Sequence, residues 1–188
     1  MRFFHISDLH FGKLLYGYDL TEEHRNFIEQ LGDYCDKYNP DAVLIAGDVY
    51  DRSVPSADAM TLLDELLNKL SGRKVFIISG NHDNAKRLSF GKDFLKKHDI
   101  YISTVPQTGE NEKIEKVTFA DEYGNVNIYM LPFLKPALFK NSMPEEAAAG
   151  EDAIIKKLVE NTDIDKNERN IILAHQFFVS GHKEPELC

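Results

Sequence analysis

Apolar residues along the chain fall into runs of two kinds. Arg2–Ile6, Asp41–Ala46 (DAVLIA), Lys74–Ser79 (KVFIIS) and Asn170–Ala174 are short and nearly continuous, and each ends in polar or turn residues. Such runs read as strands buried on both faces, because a strand with one wet face alternates instead. Elsewhere the spacing is three and four. Phe27, Ile28, Leu31, Tyr34, Cys35 and Tyr38 share one face of a helix over Asp19–Tyr38. Asp19 caps its start, with Glu22 three residues on, and Asn39-Pro40 stops it. Ala59, Leu62, Leu63, Leu66, Leu67 and Leu70 line a second helix, with Pro55 in its first turn and Ser71-Gly72 at its end. Strand–helix–strand–helix–strand of this kind predicts an α/β fold with a parallel sheet covered by helices.

The period changes further on. Lys113–Phe119 and Val126–Leu131 read as a hairpin around Glu122-Tyr123-Gly124-Asn125, which predicts a second, partly antiparallel sheet. Glu145–Glu160 reads as one more helix, with Ile154, Ile155, Leu158 and Val159 inward. Asn170–Ala174 is the last buried strand and ends at His175. Thr104–Asn111 reads as a polar loop.

Composition narrows the class. The chain has 188 residues, 43% hydrophobic and 28% charged, which excludes a disordered or fibrous chain. No apolar run approaches the roughly 18 residues of a membrane helix. Asp8 comes too early for a secretory signal. Cys35 and Cys188 make no disulfide framework, so the expected compartment is the reducing cytoplasm. The net charge of −9 argues against a nucleic-acid binder, whose usual mark is a basic patch. Acids gathered to hold metals escape that argument, since two divalent cations add four positive charges in one cleft.

The polar groups at the strand ends supply such a set. They are Asp8-x-His10, Gly47-Asp48-x-x-Asp51, Gly80-Asn81-His82-Asp83 and His175. Ligands of open α/β sheets bind beyond the carboxyl ends of the strands, so these groups converge although they are distant in sequence. Oxygen and imidazole donors without thiolate suit Mn²⁺, Fe or Zn. Asp48, in its short Gly turn, is the natural bridge between two metals. His82 is placed to protonate a leaving oxygen. Asp51, one turn beyond Asp48, is placed to orient that imidazole and keep it protonated.

D-x-H, G-D-x-x-D, G-N-H-D and a later strand-end His resemble the calcineurin-like metallophosphoesterases. The flanking words Gly47–Ala57 (GDVYDRSVPSA), Ile78–Phe90 (ISGNHDNAKRLSF) and Leu173–Phe177 (LAHQF) are similar to the SbcD family of bacterial nuclease subunits. The resemblance implies a two-sheet sandwich flanked by helices. It implies two divalent metals, Mn²⁺ foremost, with Asp8 and His10 on the first, Asn81 and His175 on the second, and Asp48 on both. His82 and Asp51 are then catalytic, and Arg52 touches phosphate. The implied activity is exonuclease action on double-stranded DNA ends and endonuclease action on single strands, in DNA repair. The implied partners are DNA ends, an SbcC-type ABC ATPase and a second copy of the chain.

The family's final Gly-His-x-His motif has no counterpart here. Gly181-His182-Lys183-Glu184 has Glu184 where the second His belongs. Residues 1–188 are therefore expected to be the N-terminal part of a nuclease domain, lacking one ligand to each metal. Two other readings stay open. One is another phosphoesterase on the same scaffold, either a phosphatase or a nucleotide phosphodiesterase. The other is a catalytically inactive fragment. His24 and His98 read as helix-surface residues, His182 as a loop residue and His5 as packed or edge-exposed, while Tyr16 and Tyr18 read first as packing residues and second as rings that stack on bases or sugars. Lys86 and Arg87 read equally as a solvated helix face or as phosphate contacts.

Overall fold

The computed structural model describes residues 1–106 and 112–178. The Gly181-His182-Lys183-Glu184 stretch, Cys188 and the end of the expected polar loop lie outside the described residues. The elements, in chain order, begin with β1 (Phe3–Ile6), β2 (Leu14–Leu15), β3 (Tyr18–Asp19), α1 (Thr21–Tyr38), β4 (Ala42–Ala46), α2 (Ala57–Lys69) and β5 (Lys74–Ile78). Two short helices follow, α3 (Ala85–Leu88) and α4 (Lys92–Leu95), and then β6 (Ile100–Ser103). The second half contains β7 (Glu115–Asp121), β8 (Gly124–Leu131), α5 (Pro144–Ala149), α6 (Glu151–Asn161) and β9 (Arg169–Ala174).

Strands β1, β4, β5 and β6 form a parallel sheet in the order β1-β4-β5-β6. Alternation along the central strands splits the core. Val43, Ile45, Val75 and Ile77 face α1 and α2, where they meet Ile28, Leu31, Cys35, Leu62 and Leu66. Ala42, Leu44, Ala46, Phe76 and Ile78 face the other way, onto Val126, Ile128, Met130 and Leu173 of a second sheet. That sheet pairs β7 with β8 antiparallel and β8 with β9 parallel. Its outer face carries Tyr129 and Leu131 against Ile154 and Leu158 of α6. Helices therefore cover both outer faces, and the result is the sandwich that the pattern and the resemblance imply.

The structure departs from the sequence reading in four places. Strand β6 falls where no strand is expected. Its Ile100 and Ile102 enter the helix-side core, and Tyr101 stacks on Phe76 at 5.0 Å. The helix over Glu145–Glu160 is two helices, parted at Gly150, whose φ of 111° a helix cannot hold. Helix α1 starts at Thr21, because the Asp19 carboxylate accepts from the Thr21 N–H (2.8 Å) and closes a turn just before it. Pro55 lies before the cap of α2, whose Ser56 hydroxyl accepts from the Ala59 N–H (3.2 Å).

A clamp ties the second sheet together. The Arg169 guanidinium grips both carboxylate oxygens of Asp121 across β8. Those bonds, the largest influence, hold the Asp121 carboxyl well below the usual carboxylate range. A depressed folded pKa contributes stability that is present above the unfolded value, about 3.9, and is lost as pH falls through the folded one. Asp121→Asn should therefore lower the melting temperature at neutral pH. The gap should close as pH falls below about 3, as thermal melts across that range would show.

Candidate metal centre

Each candidate residue sits just past a strand's carboxyl end. The β1–β4 ladder continues beyond the strands, with the Asp8 N–H on Gly47 O (3.1 Å), His10 N–H on Asp48 O (2.9 Å) and Phe11 N–H on Val49 O (2.9 Å). The two loops are thus laced side by side. Asp8 (φ 56°), His10 (φ 46°) and Asp48 (φ 50°) all adopt left-handed backbone. This is uncommon for residues with a Cβ and costs on the order of 1 kcal/mol each. It breaks the two-residue alternation of a strand and turns the side chains of Asp8, His10 and Asp48 toward one point.

Two glycines permit the approach. A Cβ on Gly47 would lie 2.6 Å from His175 Nδ1 and 2.9 Å from Gly80 Cα. A Cβ on Gly80 would overlap both Oδ1 and the backbone N of Asp48. Asp83 anchors the same loops from behind. Its buried carboxylate accepts from the N–H groups of Gly80 (2.9 Å), Val49 (3.1 Å) and Tyr50 (2.9 Å). Burial raises its pKa, and the three N–H donors partly offset that. Nothing in the spacing of G-N-H-D separates this anchor from its neighbours. Only its burial does.

Asp48 is the centre of the cluster and is 3% exposed. Its Oδ1 accepts from the His82 N–H (2.9 Å). Its Oδ2 lies 3.7 Å from His10 Nε2 and 3.6 Å from His175 Nε2. Asp8 Oδ1 is 3.7 Å from the same His10 nitrogen, and Asn81 Oδ1 is 3.2 Å from His175 Nε2. Most of these gaps are too long for hydrogen bonds. They suit donors that share a cation, because bonds of about 2.1 Å put two ligands of one ion roughly 3–3.5 Å apart. The donors form two triads, His10-Asp48-His82 and Asp8-Asp48-His175, and Asp48 belongs to both. Asp8 lies beside His10 and Asn81 beside His175, with the Asp48 carboxylate between the two pairs.

The far side of the His175 ring is engaged by a backbone carbonyl. His175 Nδ1 is 2.6 Å from Ala46 O. A carbonyl only accepts, so Nδ1 carries the hydrogen and Nε2 faces the cluster with a free lone pair. His10 Nδ1 lies 3.2 Å from Asp51 Oδ1, at ion-pair distance but out of line for a hydrogen bond. This corrects the expected role of Asp51, whose side chain turns to His10. Its backbone carbonyl, instead, receives His82 Nδ1 at 2.8 Å. The cause is the Phe11–Tyr50 bridge and the Asp51 N–H on Phe11 O (3.1 Å), which draw Asp51 under the β1 loop. Carboxylates behind a ligand histidine typically account for 10- to 100-fold in metal affinity. Asp51→Asn is expected to weaken metal binding by about that factor, measured by calorimetry.

The structure does not bring Arg52 to the cluster. Its Nε is 3.8 Å from Asp51 Oδ2, and it lines a neighbouring cavity with Ser56 and Asp58. His24 is no plain surface residue. It is half-buried edge-on against Phe11 (5.2 Å), and burial lowers its pKa. Tyr16 and Tyr18, expected to pack, are exposed on the β2–β3 hairpin. Lys86 and Arg87 are exposed on α3, as both readings of them require. The cluster opens into a cavity of about 500 Å³ whose remaining wall includes His5, Ser7, Phe133 and Phe177. Among these, Phe177 carried a sequence signal, as it stands two residues past His175 in LAHQF.

Comparison with known proteins agrees with this picture. The profile of the calcineurin-like phosphoesterase family matches residues 1–186. The chain is similar to the SbcD subunit of the nuclease SbcCD from Staphylococcus epidermidis, at 30% identity over 186 residues. That alignment covers 96% of this chain and 48% of the relative, so the chain spans about half the relative's length. A match across nearly the whole chain, on a sandwich whose strand ends gather this donor set, places the protein in the calcineurin-like phosphoesterase family.

Proposed function

We propose that the protein is a metal-dependent DNA nuclease of the SbcD type, using two divalent cations, Mn²⁺ foremost. The observation that carries this reading is the meeting of His10 and His175 on one oxygen of buried Asp48, in a chain similar to a nuclease subunit. Asp8, His10, Asp48, Asn81 and His175 are the proposed ligands. Bound there, the cations supply charge neutralisation at the phosphoryl oxygens and a water of lowered pKa.

The chain's own residues do the rest. Asp48 and Asp8 place negative charge where cations and then phosphate must sit, and so order the site before substrate arrives. His82 acts on the leaving group. Its Nδ1 hydrogen is held by the Asp51 carbonyl, so Nε2 is the nitrogen that gains and gives a proton. The His10 ring lies against it edge-on, with centroids 4.9 Å apart, which fixes the imidazole plane. As the P–O bond to the departing sugar breaks, Nε2–H hands its proton to that oxygen and prevents an alkoxide from leaving.

His82→Gln is expected to lower kcat on DNA by about 10²- to 10⁴-fold, with KM and metal stoichiometry nearly unchanged. The loss should be much smaller on a p-nitrophenyl phosphodiester, whose leaving group needs no proton. Equal losses on both substrates would remove His82 from this role.

The proposed activities are exonuclease action on double-stranded ends and endonuclease action on single strands, in DNA repair. The proposed partners are an SbcC-type ABC ATPase and a second copy of the protein. No described helix is long and apolar enough to cross a membrane, and the proposed compartment is the cytoplasm. Nucleotide release from end-labelled duplex DNA and from a single-stranded circle in Mn²⁺ tests the assignment. Release from both supports it. Hydrolysis of p-nitrophenyl phosphate with intact DNA would turn the assignment to a phosphatase on the same scaffold.

A further inference from the structure

Two phenylalanine rings stand in the wall of the metal-centre cavity, and nothing in the hydrolysis described above uses them. Phe133 follows β8. Its N–H is held by Ser79 O (2.8 Å), and its ring meets that of His175 edge-on at 6.4 Å. Phe177 lies two residues past His175 and is 93% exposed. The described apolar core closes without it. Its exposure leaves the ring open to whatever occupies the cavity.

The geometry points to an aromatic shelf, formed by Phe177 over the anchored Phe133, on which the base next to the scissile phosphate stacks. This rests on the nuclease reading above and adds to it how the nucleoside is held. The two sides of the cavity divide the ligand by chemistry. Asp8, Asp48, Asn81 and the histidines form the polar side, where cations and phosphate go. The phenylalanines form the apolar side. A nucleotide presents the same pair, a charged phosphate and a flat apolar face within one unit. Phenyl rings carry no donor or acceptor for base edges, so the shelf accepts any base. Sequence-tolerant grip is what a nuclease needs if it removes successive nucleotides. Phe133 is held at its backbone by Ser79 and meets His175 edge-on, while the exposed Phe177 ring is open to a base.

The test uses the metal-loaded protein and single-stranded oligonucleotides with a tetrahydrofuran abasic unit placed in turn on each side of the cleaved phosphate. Stacking of one base supports a KM rise of about 5- to 100-fold for Phe177→Ala on intact DNA, with kcat held. The rise should vanish on the oligonucleotide that lacks the stacked base, and Phe177→Trp should restore KM. Quenching of 2-aminopurine at the same position, followed in a His82→Gln background where turnover is slow, should be lost with Phe177→Ala. Equal KM with and without the ring, or equal loss on intact and abasic DNA, overturns the shelf and leaves the nuclease reading standing. Cleavage of a phosphomonoester but of no oligonucleotide overturns both.

Discussion

Asp48→Asn should silence hydrolysis, by at least about 10³-fold, more than the loss of one electrostatic donor usually brings. Asn keeps the volume and one carbonyl oxygen, so the fold survives. The other oxygen becomes an amide nitrogen, which donates hydrogens and cannot bind a cation. Asp48 is unique in the cluster because one of its oxygens faces His10 and His175 together. A ligand on one cation affects one site, whereas a shared carboxylate affects both. Calorimetry should show the protein's metal stoichiometry collapse, while Asp8→Asn should weaken binding at one site only. Retention of full stoichiometry by Asp48→Asn would deny it the bridging role. Thermal melts without added metal should show no loss of stability and a modest gain, since one of several crowded negative charges is gone.

The second large effect belongs to a residue with no chemistry. Gly80→Ala should lower stability by about 2–4 kcal/mol, in the range of severe packing errors, and abolish metal binding with it. The added methyl meets Asp48 at its backbone N as well as at Oδ1, and backbone cannot step aside as a flexible side chain can. Relief requires the β4 and β5 loops to part, and that strips Asp83 of its bonds to Val49 and Tyr50. Denaturant melts give the stability, and calorimetry on the folded fraction gives the metal content. An alanine protein of normal stability that still binds two cations would show that the loops yield cheaply.

Most of the architecture was legible because buried parallel strands announce themselves as continuous apolar runs. DAVLIA and KVFIIS are strands β4 and β5 almost to the residue. The site was legible for a related reason, since each run ends in a polar group and a parallel sheet delivers all such ends to one edge. Strand β6 was not, because Ile100–Ser103 is four residues long and follows a lysine-rich helical turn that hides its start. The break at Gly150 was missed because Ile154 and Leu158 keep helical spacing whether or not the helix extends upstream. Asp51 shows a deeper limit. Its place in G-D-x-x-D suggests that its carboxylate orients the His82 imidazole. The ladder between two loops, which no local spacing encodes, turns its carboxylate toward His10 and its carbonyl to His82. Asp83 and Phe133 act through burial and through position in space, and neither can be read from a string of letters.

The left-handed backbone at Asp8, His10 and Asp48 has an evolutionary consequence. Each position pays in folding for what it gives to function, and the two acids of the cluster, Asp8 and Asp48, repel one another until cations arrive. A laboratory selection that rewards only heat resistance would therefore erode these positions first, toward Asn or Gly, which accept that backbone without the charge. A selection run in the presence of Mn²⁺ would spare them, because ligand binding adds its free energy to the folded state alone. The mutational record of the protein under heat would thus show whether its metals were present during selection.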